Sequence, residues 1–73
     1  MRHLLNTLFI TSEDAYLSLE GENVLVNREK IVVARFPLHT LSGILSFSYA
    51  GASPALMGAC AKREIGLAFC TQR

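Results

Sequence analysis

The sequence has no tryptophan, two cysteines and two prolines, and only 18% of its 73 residues are charged, against about 25% in an average soluble domain. Each shortage excludes something. Cys60 and Cys70 lie ten apart with no C-x-x-C, and neither histidine stands at ligand spacing from them. A zinc site and a disulfide framework are therefore not indicated. Two reduced, buried thiols fit better, and with them a cytoplasmic location. No apolar run approaches the roughly 18 residues of a membrane span. The opening Met1-Arg2-His3-Leu4-Leu5 is broken by Asn6 and Thr7 and followed by Glu13 and Asp14, which is not the pattern of a secretory leader. Seven basic and six acidic residues leave a formal charge of +1, without the basic stripe of an autonomous nucleic-acid binder.

What the chain has in excess is apolar side chains, 51% of the total, with a mean hydropathy of +0.33. A domain this small buries only about 60% of the surface its unfolded chain exposes. Part of its apolar surface is then expected to face another subunit or a further part of the same chain.

The first two thirds read with the period of two that marks strands. Leu4 to Ile10 is an apolar run with Asn6 and Thr7 inside it, followed by the turn cluster Thr11-Ser12-Glu13-Asp14. Tyr16 to Glu20 alternates, with Leu17 and Leu19 inward. Glu20-Gly21-Glu22-Asn23 turns the chain, Gly21 being free to take positive φ. Val24 to Arg28 is a third strand and Arg28-Glu29-Lys30 a polar tip. Ile31 to Phe36 is a fourth strand, rich in β-branched residues and stopped by Pro37. Short strands at this spacing predict antiparallel hairpins in a sandwich or barrel.

The last third changes character. Gly43 to Ser48 is a fifth strand. Ser53-Pro54 marks a helix start, with a side chain able to cap and a proline suited to the first helical position. Leu56, Ala59, Cys60 and Arg63 share one helical stripe, Lys62 and Arg63 close the last turn, and Gly66 is expected to end the helix. Leu67 to Cys70 begins a sixth strand. About seventeen residues separate the fifth and sixth strands, enough for a crossover into a parallel strand. The fold class is thus mainly β with one short helix, a small sandwich-like domain of about six strands in mostly antiparallel hairpins. The chain ends at Thr71-Gln72-Arg73 with no closing hairpin, and reads as a piece cut from something longer.

Few residues invite chemistry. His39 follows Pro37-Leu38 in a bend, where a general base is conceivable, but no nucleophile with an orienting acid stands near it in sequence. Glu13-Asp14, and Glu20 with Glu22, are acids in turns and read as solvated or capping groups rather than cation ligands. Arg28, Lys30, Lys62 and Arg63 are the candidates for DNA-phosphate contact, set against a plain role in solubility and helix-dipole complement. Arg35 completes the basic set. Ala50-Gly51-Ala52-Ser53 precedes a helix but lacks the lysine of a phosphate-binding loop. No catalytic residue, no metal ligand and no cofactor is assigned to the chain.

Four stretches in order are more distinctive than their chemistry: Leu4-Leu5-Asn6-Thr7-Leu8-Phe9, Asp14-Ala15-Tyr16-Leu17-Ser18-Leu19-Glu20-Gly21-Glu22-Asn23, Ala34-Arg35-Phe36-Pro37-Leu38-His39 and Gly51-Ala52-Ser53-Pro54-Ala55-Leu56-Met57. With Gly66-Leu67-Ala68-Phe69 after the helix, they resemble the start of the CRISPR-associated endonuclease–integrase of spacer acquisition, most of all the version in subtype C of type I systems. That resemblance implies an N-terminal β-domain spanning 1–73, joined in the family to an α-helical domain absent here. The helical domain carries a Glu/His/Asp site that cuts and joins DNA with Mg²⁺ or Mn²⁺, and none of those ligands falls on this sequence. The family's β-domains pair in a homodimer, and two such dimers flank a small ferredoxin-like partner to insert DNA into CRISPR arrays, an antiviral defence. Some members place an aromatic in the first hairpin turn to brace a DNA end. Thr11-Ser12-Glu13-Asp14 has none, and Tyr16 nearby is not a residue-for-residue match.

The sequence therefore leads to a scaffolding and dimerisation domain of a metal-dependent DNA endonuclease/integrase that makes no cut by itself. The alternative is an autonomous small β interaction module.

Overall fold

The computed structural model describes residues 2–4 and 6–70, with side chains from residue 6 onward. The three C-terminal residues, on which the expectation of a cut end rests, lie outside the described residues.

Two sheets and one helix enclose the core. The first sheet holds β1 (Arg2–Leu4), β2 (Thr7–Ile10), β6 (Gly43–Ser46) and β7 (Gly66–Phe69) in that spatial order. β1 and β2 are antiparallel, whereas β2–β6 and β6–β7 are parallel. The second sheet is an antiparallel meander of β3 (Tyr16–Glu20), β4 (Asn23–Arg28) and β5 (Ile31–Pro37). A 3₁₀ turn (Leu38–Thr40) leads from β5 back to β6, and helix α1 (Pro54–Lys62) carries the crossover from β6 to β7. The mainly β class with a helix near the C-terminal end is as the periodicity predicts, as is the parallel arrival of the last strand.

Several boundaries differ, each for a local reason. The run from Leu4 to Ile10 is two strands, so that seven strands are present among the described residues. The Asn6 carbonyl at the break accepts from the backbone N–H of Ser42 and Gly43 and from the Ser42 hydroxyl. Asn6 thus ties the β1–β2 turn to the entry of β6, a service that a continuous strand could not offer. β5 includes Pro37, which is tolerated because β5 is an edge strand whose outer N–H row needs no partner. Gly66 does not end the helix; it opens β7. The helix ends at Lys62, and Glu64 takes the left-handed conformation (φ 59°). Glu64 N–H donates to the Ala61 carbonyl and Ile65 N–H to the Cys60 carbonyl, at 3.2 and 2.8 Å. This is a Schellman closure with a glutamate where glycine is usual, and buried Ile65 supplies its apolar contact.

The helix start is as read from Ser53-Pro54. Ser53 Oγ accepts from Leu56 N–H at 3.1 Å, and Pro54 takes the first helical position. Leu56 and Cys60 point into the core and Ala59 packs beside them. Leu8 and Ile10 of β2, Leu17 of β3, Val24 and Val26 of β4 and Ile44 of β6 meet them, with Leu38, Leu41 and Ile65 closing the ends. Strand alternation sends these residues to the inner faces of both sheets. Ser46 and Ser48 are also buried; their hydroxyls pair at 3.0 Å and Ser48 N–H donates to Ser46 Oγ, so neither is left unsatisfied.

Two hairpin turns set the outer ends of the meander. Gly21 alone is at positive φ (61°) in the two-residue β3–β4 loop, the pattern of a type II′ turn. At the β4–β5 tip Glu29 (φ 52°) and Lys30 (φ 67°) are both left-handed, the pattern of type I′, which Asn and Gly adopt far more readily. Beyond that tip the pairing jumps from Val26↔Ala34 to Asn27↔Val32, so Val33 is a bulge residue without a partner on β4.

Candidate functional site

The basic candidates are positioned by β4 and α1, and the fold separates them into two pairs. Arg28 and Lys30 sit at the β4–β5 tip. Lys62 and Arg63 sit at the C-terminal end of α1, beside the β3–β4 turn at the other end of β4. Six strand residues at about 3.3 Å each place the two pairs roughly 17 Å apart, so they do not form one anion site.

The arginines are engaged by carboxylates. Arg28 donates from Nε to Asp14 Oδ1 at 2.9 Å and from Nη2 to Oδ2 at 3.5 Å, which joins the first turn to the β4–β5 tip. Arg63 donates to Glu22 and so ties the helix end to the β3–β4 turn. Arg35 reaches across β4 to Glu20 Oε1 at 3.0 Å. All three pairs are exposed and each is worth about 1 kcal/mol or less. Sequence reasoning grouped the basic residues but missed these partners, which lie 14, 41 and 15 positions away. Only the strand register and the helix placement bring them together. Lys30 and Lys62 make no ion pair among the described residues.

Lys30 also borders an open concavity of about 330 Å³ on the outer face of the meander, lined with Asp14, Tyr16, Ser18, Asn27 and Glu29. Asn27 Nδ2 donates to the Tyr16 carbonyl at 3.1 Å and to Ser18 Oγ at 2.9 Å, which holds β3 against β4 there. His39 lies exposed in the 3₁₀ turn. No group of three or more His, Cys, Asp or Glu side chains able to hold a metal ion occurs among the described residues. Both cysteines are free thiols; Cys60 is buried and Cys70 half-buried. Burial pushes the Cys60 thiol above its ordinary value, against a smaller opposite pull from the Arg63 guanidinium.

Among the described residues, then, two sheets and one crossover helix carry paired surface charges. Residues 8–73 match the family model of CRISPR associated protein Cas1, and the chain belongs to that family. It is 43% identical over 72 residues to "CRISPR-associated endonuclease Cas1 1" of Chlorobaculum tepidum, which covers 99% of this chain and 21% of that protein. It is 38% identical over 65 residues to "CRISPR-associated endonuclease Cas1 2" of Rhodospirillum rubrum, covering 89% and 19% respectively. The chain thus spans about a fifth of the length of these curated relatives. Among solved structures it superposes on a chain of a partial Cas6-RT-Cas1–Cas2 complex with a TM-score of 0.80, covering 89% of this chain and 20% of that one. At 9% identity that likeness shows a shared fold. No helix among the described residues is long and apolar enough to cross a membrane.

Proposed function

We propose that residues 1–73 act as the N-terminal scaffolding and dimerisation domain of a CRISPR-associated, metal-dependent DNA endonuclease/integrase that inserts new spacers into CRISPR arrays in the cytoplasm. The observation that carries this reading is the match of nearly the whole chain to about a fifth of the length of two endonuclease relatives. The apolar side chains that remain exposed, Ile31, Val32, Val33, Tyr49, Met57 and Phe69 among them, support a partner-covered surface. On this reading the Mg²⁺ or Mn²⁺ ligands belong to an α-helical domain beyond these residues. Cutting and joining belong there too, and a small ferredoxin-like protein bridges two homodimers. Lys30 and Lys62, free of ion pairs among the described residues, supply peripheral phosphate contacts.

The test is to purify the 73-residue chain and follow two readouts. Incubated with DNA and Mn²⁺ or Mg²⁺, it leaves the DNA uncut, and in sedimentation at tens of micromolar it is a dimer. Metal-dependent cleavage that disappears on replacing Glu13, Asp14, Glu20 or Glu22 overturns the assignment of chemistry to another domain. A clean monomer overturns the dimerisation role.

A further inference from the structure

We propose that the concavity on the outer face of the meander is a low-affinity site for one free nucleotide, a nucleoside monophosphate whose base carries an exocyclic amino group. This goes beyond the scaffolding reading above and does not rest on it.

Several features meet there. The concavity is about 330 Å³, within the roughly 300–1,000 Å³ of small-molecule sites. Tyr16 forms part of its wall and is 38% exposed. A phenol ring fixed on a strand offers a face on which a planar base stacks. Beside it stand two polar side chains, Ser18 and Asn27. Asn27 donates through Nδ2 to the Tyr16 carbonyl and to Ser18 Oγ. Those bonds fix the amide and leave Oδ1 as an acceptor with no partner among the described residues. Ser18 Oγ already accepts from Asn27, so its own hydrogen is available to donate. An acceptor next to a donor matches adenine or cytosine, where an amino group adjoins a ring nitrogen. Uracil presents a carbonyl where that amino group is needed.

Charge narrows the ligand further. Among the described residues lining the concavity, Lys30 is the only cation, and it makes no ion pair. Glu29 and Asp14 are the acids, Asp14 being already held by Arg28. One phosphate therefore finds a partner in Lys30, and a second or third meets carboxylates. A single strand of DNA or RNA brings a negative charge with every nucleotide, so the same acids favour a free monophosphate over a polymer. Glu29 and Lys30 hold left-handed backbone (φ 52° and 67°), which glycine or asparagine adopts more readily. Strain of this kind persists at ligand sites, and here it sets one ammonium and one carboxylate against the concavity. With one stacking face and an open mouth, the site holds its ligand loosely.

The experiment titrates the ¹⁵N-labelled 73-residue chain with adenosine monophosphate and follows the backbone amide shifts. The expected result is shifts that saturate at millimolar ligand or below and centre on Tyr16, Ser18, Asn27 and Lys30. Uridine monophosphate should bind at least about fivefold more weakly, and adenosine triphosphate no more tightly than the monophosphate. Tyr16→Ala should weaken the monophosphate at least about fivefold, the low end for losing one base stack. Lys30→Gln should weaken the monophosphate and leave adenosine unchanged. Thermal melts report whether both variants fold, and the comparison among ligands needs no substitution. Shifts that are absent, that never saturate or that fall elsewhere overturn the site. Equal binding of the adenine and uracil nucleotides overturns the role of Ser18 and Asn27. A 5′-phosphorylated oligoadenylate bound more tightly than adenosine monophosphate overturns the assignment to a free nucleotide.

Discussion

Glu64 offers the sharpest test of the local physics. It occupies the left-handed position that closes the helix, with φ at 59°. An L-residue with a side chain is disfavoured there by about 1–2 kcal/mol. Its side chain is exposed and forms no ion pair among the described residues, so nothing local offsets that strain. Glycine removes the strain but gives the unfolded chain more freedom, which returns about 0.5–1 kcal/mol. Taken from the middle of each range, the expected net gain for Glu64→Gly is about 0.5–1 kcal/mol. In a domain of this size each kcal/mol moves Tm by about 4–8 °C, so the melt should rise by roughly 2–8 °C. Circular dichroism at 222 nm against temperature, with a urea titration to confirm an unchanged slope, measures it. Glu64→Val serves as the opposite control, since a β-branched residue is strained most at positive φ, and its Tm should fall. An unchanged or lowered Tm for Glu64→Gly would refute the account of how the helix closes.

Three further outcomes follow from the same structure. Lys30→Gly at the type I′ tip should stabilise for the same reason, and its gain should add to that of Glu64→Gly because the two lie at opposite ends of β4; a loss of stability would mean that Lys30 holds a contact beyond its backbone geometry. Leu56→Ala removes a fully buried side chain that anchors α1 on both sheets. The cost is about 2–5 kcal/mol, out of roughly 4–11 kcal/mol for 73 residues, and a urea titration giving a loss of less than about 1 kcal/mol, half the smallest cost expected, would count against the packing described. Cys60 has its thiol pushed above the ordinary value of 9.0. Below that value both folded and unfolded chains keep the proton and stability does not depend on it. As pH rises past 9.0 the unfolded chain loses the proton first, so stability falls. Denaturation followed between pH 8 and 10 (roughly spanning the thiol range) should show that fall in the wild type and less of it in Cys60→Ala. In the folded protein, thiol-labelling reagents should modify Cys70 well before Cys60.

Much of the architecture was legible along the chain. Alternation placed β3, the turn residues on either side bounded β4, and β-branched residues before Pro37 marked β5. Ser53-Pro54 marked the helix start because capping is a short-range hydrogen bond between neighbours. The long link before Leu67 implied a parallel return. What was not legible depends on partners distant in sequence. The break between β1 and β2 hangs on the Asn6 carbonyl meeting Ser42, thirty-six positions on. The parallel pairing of β2 with β6 joins strands separated by the whole meander.

The candidate site divides in the same way. Composition and local pattern alone determined that this is a small, apolar, mainly β chain with one helix and a few basic residues, and the ordered stretches of residues pointed to its family. Tertiary structure decided what those basic residues face. It set Arg28 on Asp14, Arg63 on Glu22 and Arg35 on Glu20, and it held the two basic pairs at opposite ends of β4. It also chose Glu64 over Gly66 as the residue that closes the helix, because the register of β7 against β6 claims Gly66 for the sheet. Periodicity reports which side of an element is buried; only the packing of one element on another determines which charges meet and which edge is left open.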